Sequence, residues 1–325
     1  MLLYTDQISG GRQLTLKDYF IGTGGWGYFR VPGLNPLVAY SKAFNFVEVN
    51  NSFYHVPSVE AAKKWRRIVP KDFTFSLRVH RSITHEHKLR PVKEAFETFE
   101  TMKNLCSILQ TNMLHLQIPK SLKLDASSLK TFRDFFSSTI LGSLRIVLEI
   151  RGRDAFQLPQ QLLSTMQEHG MVHCVDLSKG EVPAYDSDIL YTRLFGKGRH
   201  NVYQPTDREL AEIDHKASSG KSQKVVMSFH YVRMYKDAAR LKTYKQTGRF
   251  PKVTSSTGLS SLEEILREDA RFPTDKQELV KDQGWKLLDL TAEGRVHARD
   301  LLEKLPEGEY GSMDEIREKL QHIMR

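Results

Sequence analysis

Cysteine is scarce: only Cys106 and Cys174 occur in 325 residues. Two thiols build no disulfide framework, and a reducing cytoplasm is the expected setting. Long apolar runs are also missing. Nothing approaches the roughly 18 consecutive apolar residues a membrane span requires, so no membrane partner is expected. The opening stretch, MLLYTDQISGGRQLTLKDY, meets Asp6 and Arg12 too early for the apolar core of a signal peptide. No internal repeat and no low-complexity tract appears, and the H-E-x-x-H spacing of a zinc hydrolase is absent.

What the chain has in excess is positive charge, +9 overall, on a composition that is 40% hydrophobic. The excess is local. Residues 216–253 carry ten basic residues against Asp237 alone, whereas 254–325 carry eleven basic against sixteen acidic. A basic segment interleaved with Tyr231, Tyr235, Tyr244 and Phe250 suits a strand-binding surface, with Lys224, Arg233, Lys236, Arg240, Lys242 and Lys245 as its contacts. The alternative is a solvated helix face.

Short β-rich runs alternate with amphipathic helical runs. Strands are predicted at 19–25, 45–50, 73–79, 113–118, 145–151, 171–176, 189–195 and 225–230. Helical spacing lies between most of them, as in SVEAAKKWRRIV, PVKEAFETFETMKNLCSIL, SSLKTFRDFF, PQQLLSTMQEHG and TDRELAEIDHKA. The strand at 171 reaches the strand at 189 by a loop. Eight alternating strands predict an α/β fold, a (β/α)8 TIM-type barrel, with a doubly wound open sheet as the competing arrangement. An N-terminal arm is expected over 1–18 and the barrel over 19–250. A linker and an acidic helical C-terminal domain are expected over 251–325. Its helices would be SLEEILRED, TDKQELVKD, TAEGRVHARDLLEKL and SMDEIREKLQHIM, the last opened by the Ser312-x-x-Glu315 capping box.

Residues i and i+2 of a strand share a face. Glu48 and Asn50 therefore pair, as do Arg78 and His80, His115 and Gln117, and Glu149 and Arg151. Asp176, Arg193 and His230 each lie near the end of a strand. The residues between are apolar, which turns the polar set inward at the C-terminal mouth, where barrels build their sites. Glu48, Glu149, Asp176, His80 and His230 are the candidate catalytic groups. Arg78, Arg151 and Arg193 could clamp an oxyanion. Asn50, Ser52, Tyr54, His85, Gln117, Trp26 and Tyr28 are candidate substrate contacts. The carboxylates and imidazoles could hold a divalent metal, although three arginines beside it would repel it. For any one residue the structural reading stands level, because barrel interiors also carry ion pairs. His85 and His87 have H-x-H spacing on a loop, which is more often simply solvated. Cys174 reads as a small core residue and Asp154 as a helix cap.

The motifs IGTGGWGY (21–28), FNFVEVNNSFYHVPS (44–58), FTFSLRVHRSITH (73–85), LHLQIPKS (114–121), VLEIRGRDAF (147–156), YTRLFGKG (191–198) and VVMSFHY (225–231) resemble the YecE-like family, a domain of unknown function. The resemblance covers residues 19–248 and implies a TIM-type barrel, without an established reaction. Departures occur at the mouth. Arg78 stands where the family has Lys, His80 where it has Pro, Phe195 where it has His, and His230 follows Phe229 where it has Asn. Three functions are compatible with these readings. The first is an enzyme acting on a phosphate-containing substrate, including a metal-dependent nuclease or phosphodiesterase. The second is a sugar or sugar-phosphate isomerase-like enzyme, and the third is a non-catalytic module binding nucleic acid or protein.

Overall fold

The computed structural model describes residues 17–153 and 157–323. Almost all of the expected N-terminal arm, and Asp154, lie outside them. Eight parallel strands close into a barrel in sequence order. They are β1 (Asp18–Thr23), β2 (Phe46–Val49), β3 (Thr74–Arg78), β4 (Met113–Ile118), β5 (Arg145–Ile150), β6 (Val172–Val175), β7 (Ile189–Leu194) and β8 (Lys224–Phe229). Pairing of β8 with β1 completes the closure, with Asp18 to Thr23 in register with Lys224 to Phe229. Each strand lies where its alternation predicts it.

Helices α1 (Pro36–Ala43), α2 (Val59–Ile68), α3 (Lys93–Leu109), α4 (Ala126–Ser137), α5 (Gln160–Glu168), α6 (Asp207–Ser219) and α7 (Met234–Thr247) surround the barrel. Between β6 and β7 there is only a 3-10 turn over Leu177–Lys179. Sequence periodicity does not reveal α1, which is eight residues long and starts on Pro36 behind the Asn35 cap. It has a definite task. The Tyr40 hydroxyl accepts from the Thr23 N–H at 2.8 Å and donates to the Phe46 carbonyl at 2.9 Å. That hydroxyl bridges β1 and β2 where only two residue pairs are in register. Gly22 is required there, because a Cβ would lie 1.9 Å from the Phe46 carbonyl oxygen.

Two layers fill the barrel. The lower half is apolar, built from Phe46, Met113, Val147, Val172, Ile189 and Val226 with Cys174 among them. The upper half is polar and forms the candidate site. A separate shell of apolar residues packs the outer strand faces against the helices.

The C-terminal part contains α8 (Leu259–Leu266), α9 (Lys276–Gln283), α10 (Arg299–Leu302) and α11 (Met313–Ile323) around its own apolar cluster. It also contains two antiparallel pairs: β9 (Thr274–Asp275) with β12 (Glu309–Tyr310), and β10 (Leu287–Asp289) with β11 (Arg295–His297). The stretch TAEGRVHARDLLEKL is therefore part hairpin and only part helix. Gly294 donates its N–H to the Thr291 hydroxyl at 2.8 Å, which makes the turn, and Val296 continues as strand. The linker-like segment is tied down, with the N–H groups of Val253 and Thr254 donating to Asp289 at 2.9 and 2.8 Å. Among the described residues no helix is long and apolar enough to cross a membrane.

Candidate functional site

Arg193 occupies the centre of the upper layer. It comes from β7 and is 2% exposed. Its Nε and Nη2 donate to the two oxygens of Glu48 at 3.0 and 2.9 Å, a bidentate fork, and its Nη1 donates to Glu149. The Tyr191 hydroxyl also donates to Glu48, at 3.0 Å, and sits 2.7 Å from the Ser76 hydroxyl. Glu149 lies 3.1 Å from His115 Nε2 and 2.6 Å from Arg151 Nε. Burial pushes the Glu48 carboxyl up, but Arg193 and then His230 outweigh it and hold the group well below the ordinary carboxylate value. Glu149 is depressed in the same way, chiefly by Arg193 acting against burial. Burial and then the repulsion of Arg193 lower His115 to about 4 and lower His230, so both imidazoles are held toward the neutral form.

Arg78 differs from the other two arginines. It is 7% exposed, yet its hydrogen-bond partners are amides. Nη1 donates to Asn50 Oδ1 at 2.6 Å and Nη2 to Gln117. Nε is buried without a partner among the described residues. The guanidinium lies 3.9 Å from the centre of the Phe53 ring, whose other contacts include the edge of His85. Burial first and the repulsion of Arg193 second pull Arg78 down to about 10.

Several candidate residues turn out to hold loops in place. Asp176 accepts from Ser178 N–H at 3.0 Å and Phe195 N–H at 3.1 Å, capping the turn after β6. It also accepts from the Ser178 hydroxyl and lies 3.6 Å from Lys179 Nζ, so its oxygens are largely engaged in holding this turn. The Ser52 hydroxyl lies 2.6 Å from the carbonyls of both Val49 and Arg78, and is spent on them. His80 joins Ser82 Oγ at 2.8 Å to the Tyr54 carbonyl at 3.3 Å, across the loops rather than toward the axis. His85 bonds Thr84 Oγ1 at 2.8 Å within a π-helical turn over Ser82–Glu86. Glu48 is fully buried and faces Arg193, so it acts on a ligand only through a neighbour.

That neighbour is His230. Its Nε2 lies 3.0 Å from Ser228 Oγ and 3.5 Å from Glu48 Oε1. Phe195 stacks on the ring at 4.7 Å, and the Arg151 guanidinium covers Phe195 at 4.4 Å. On the β1 side the ring abuts Gly24, where a Cβ would come within 2.2 Å of it.

Gly24 also lines the larger opening at the mouth, a cleft of ≈ 540 Å³ whose walls include Trp26, Tyr28, Asn50, Tyr54 and Trp65. Trp26 and Trp65 meet edge to face at 5.1 Å. Tyr28 is 86% exposed and Tyr54 55%. Trp65, also in the wall, does not stand out in the sequence as a site residue, and Tyr235 stands out only as part of the basic segment and not as part of the mouth. They lie on helices, where aromatic spacing reads as core. A smaller hollow of ≈ 170 Å³ lies across the mouth beside Glu149, Arg151, Asp176, Lys179, Arg193 and Phe195.

Ligand atoms of His115, Glu149 and Cys174 lie within 4.8 Å of one another. They do not fit a divalent cation. Glu149 Oε2 is already shared by His115 and Arg193, so the guanidinium charge occupies the place the cation would take. Burial, then Glu149, push the Cys174 thiol well above its ordinary value, keeping it protonated.

The basic segment does not form an open surface strip. Arg240, 3% exposed, pairs with Asp207 and Asp237 and donates to the Pro205 carbonyl. Arg233 and Lys236 reach Glu268, Lys242 reaches the Ala43 carbonyl, and Lys245 reaches Asp214. Lys224 is exposed at the start of β8, the barrel end opposite the mouth. Apart from Lys224, each of these side chains has an intramolecular partner, and Lys236 remains 58% exposed in its pair, so they do not form one continuous open strip.

Residues 20–252 match the family described as Protein of unknown function DUF72. UPF0759 protein YunF of Bacillus subtilis (strain 168) is 27% identical over 207 residues, which is 57% of this chain and 73% of that protein. UPF0759 protein YecE of Escherichia coli (strain K12) is 32% identical over 69 residues, 21% of this chain and 25% of that protein. A solved DUF72 family protein of Enterococcus faecalis V583 superposes with a TM-score of 0.54 at 18% identity, covering 72% of this chain and 99% of that one. One from Thermotoga maritima MSB8 gives 0.54 at 18% identity over 70% and 99%. At that identity the likeness concerns the fold.

Proposed function

The chain belongs to the family Protein of unknown function DUF72, and from the chemistry of its barrel mouth we propose that it is an enzyme acting on a small substrate that carries a phosphate group. One observation carries this reading. Three guanidinium groups gather around two buried carboxylates: Arg193 and the partly exposed Arg151 pair with Glu48 and Glu149, and Arg78 lies beside them between two amides. Arg193 and Arg151 thus pair directly with carboxylates, whereas Arg78 has no directly bonded counter-ion among the described residues. An uncompensated buried charge costs several kcal/mol, on the order of what an anionic ligand would recover. Guanidinium forks match phosphate oxygens in shape and charge.

His230 is the group placed to move a proton. With Nε2 turned to Ser228 and Glu48, Nδ1 is the free acceptor, and it faces Gly24 at the wall of the larger cleft. A neutral imidazole oriented by a carboxylate is a general base, and its conjugate acid protonates a leaving oxygen. Glu48 serves this step by orienting His230, while Arg193 keeps Glu48 ionised. The engaged carboxylates and the internally paired basic segment favour a small phosphate ester over metal-assisted cleavage of a long strand.

Thermal unfolding with added inorganic phosphate or pyrophosphate tests the reading. The full chain is stabilised by the anion, and Arg78→Gln abolishes that response while making the anion-free protein at least as stable. An equal response in the variant overturns the proposal. A panel of phosphate mono- and diesters then assays turnover, which His230→Gln abolishes.

A further inference from the structure

We propose that the substrate is a mononucleotide, its base held in the aromatic cleft at the β1 and β2 ends and its phosphate directed to Arg78. This deepens the phosphate reading of the same site and depends on it. The cleft and the anion position are joined through Asn50, which lines the one and accepts from Arg78 in the other. The volume, ≈ 540 Å³, falls within the roughly 300–1,000 Å³ of small-molecule sites.

The walls decide between a base and a sugar. Trp26 and Trp65 form a fixed floor, packed edge to face. Tyr28 and Tyr54 stand at the rim with most of their surface in solvent. Large exposed aromatics clustered at one opening are unusual on a surface that has no use for them. No lysine, arginine, aspartate or glutamate lines the cleft among the described residues. The polar side chains there are Asn50, Asn51, the Ser52 hydroxyl already spent on two carbonyls, and tyrosine hydroxyls, which is sparser than the hydroxyls of a sugar would use. A nucleobase needs a flat apolar face for stacking and a few hydrogen bonds at its edge. Asn50 and Asn51 supply amides of the kind that pair with base edges. His230, after β8 and seated behind Gly24, borders the cleft from the β1 side, while Arg78 comes from β3.

The test uses calorimetric titration of the full chain with AMP, GMP, CMP and UMP, with ribose 5-phosphate and adenosine as partial ligands. Fluorescence of Trp26 and Trp65 gives a second signal. The expected result is that at least one nucleotide binds about 10-fold or more tighter than ribose 5-phosphate, the range that base stacking supplies. The double variant Tyr28→Ala and Tyr54→Ala removes that margin and leaves ribose 5-phosphate binding unchanged. Both tyrosines are exposed, so the variant retains its core. If ribose 5-phosphate binds as tightly as every nucleotide, the base assignment is overturned and the phosphate reading survives. Adenosine binding as tightly as AMP would overturn the assignment of one ligand to both positions. If neither phosphate nor any nucleotide binds, the phosphate reading fails and takes this inference with it.

Discussion

A carboxylate at a strand end serves a substrate or the fold according to what its oxygens touch. Every near neighbour of Glu48 is a protein donor, and the Arg193 fork takes both its oxygens. The alternation of FVEVN places Glu48 inside the barrel, but no local pattern tells that Arg193, 145 residues away, would meet it. The same holds for Arg78, whose amide partners come from the ends of β2 and β4. Polarity facing the axis was legible; the pairing was not, because it depends on the barrel's register. Burial also sets a titration that can be measured. His173, 5% exposed, accepts the Ala184 N–H on Nδ1 at 3.1 Å and is lowered by burial to about 4. The unfolded chain takes up this proton near pH 6.5, the folded chain only near 4. Its contribution is therefore fully present above about pH 6.5 and lost as pH falls toward about 4. His173→Gln keeps an acceptor and removes the titration. The stability advantage of wild type over this variant should shrink by about 3 kcal/mol between about pH 7 and about pH 4, since each pH unit between the two proton uptakes is worth roughly 1.4 kcal/mol. Urea unfolding at each pH measures it, and a constant difference would refute the buried neutral imidazole.

At the scale of elements, the barrel was readable because each strand carries its own period-two signal, and α2, α4 and α6 carry their own side-chain caps. Ser58 caps α2 by accepting from Ala61 N–H at 3.1 Å, as the sequence suggests. Short elements were lost where tertiary contacts outweigh local preference. In α1 the bridging Tyr40 hydroxyl matters more than any amphipathic stripe. In β10 and β11 three residue pairs and a Gly294 turn were too little pattern to separate from helix. The strongest local device is the capping box of α6. Thr206 Oγ1 accepts from Glu209 N–H at 3.2 Å, and Glu209 accepts from Thr206 N–H at 2.9 Å. Glu209 also takes the Tyr203 hydroxyl at 2.7 Å, tying the loop after β7 to the helix. Thr206→Ala should cost about 1 kcal/mol, read as a lower urea midpoint with unchanged slope. No loss would mean that Glu209 alone satisfies the end of α6.

Charge is settled only at the scale of the whole molecule. The sequence separates a basic segment from an acidic one, and folding brings parts of them together. Glu268, beyond the family match, receives Arg233 and Lys236 of the barrel, while Asp207 receives both Arg240 and Arg295. The Lys236–Glu268 pair is exposed and contributes little, and the Arg240 and Arg295 pairs with Asp207 are more buried; the junction also has a fully buried polar anchor. Gln204, with no exposure, supplies it. Its Oε1 accepts the Leu287 N–H at 2.9 Å, its carbonyl meets His297 Nε2 at 2.8 Å, and its Nε2 approaches Asp237 at 3.4 Å. One side chain between β7 and α6 thus holds the edge of β10 against the barrel. Gln204→Ala leaves the Leu287 N–H buried without an acceptor, a loss of about 1–3 kcal/mol, concentrated at the junction. Wild type should unfold in one transition, with the Leu287 amide protected from exchange as long as the barrel is folded. The variant should release the part after residue 253 first. Its Leu287 amide would exchange early, and protease would cut between residues 249 and 258 while the barrel core stays protected. Unchanged exchange at Leu287 would place the anchor elsewhere, in the Asp207 ion pairs, and Asp207→Asn would then produce the early release instead.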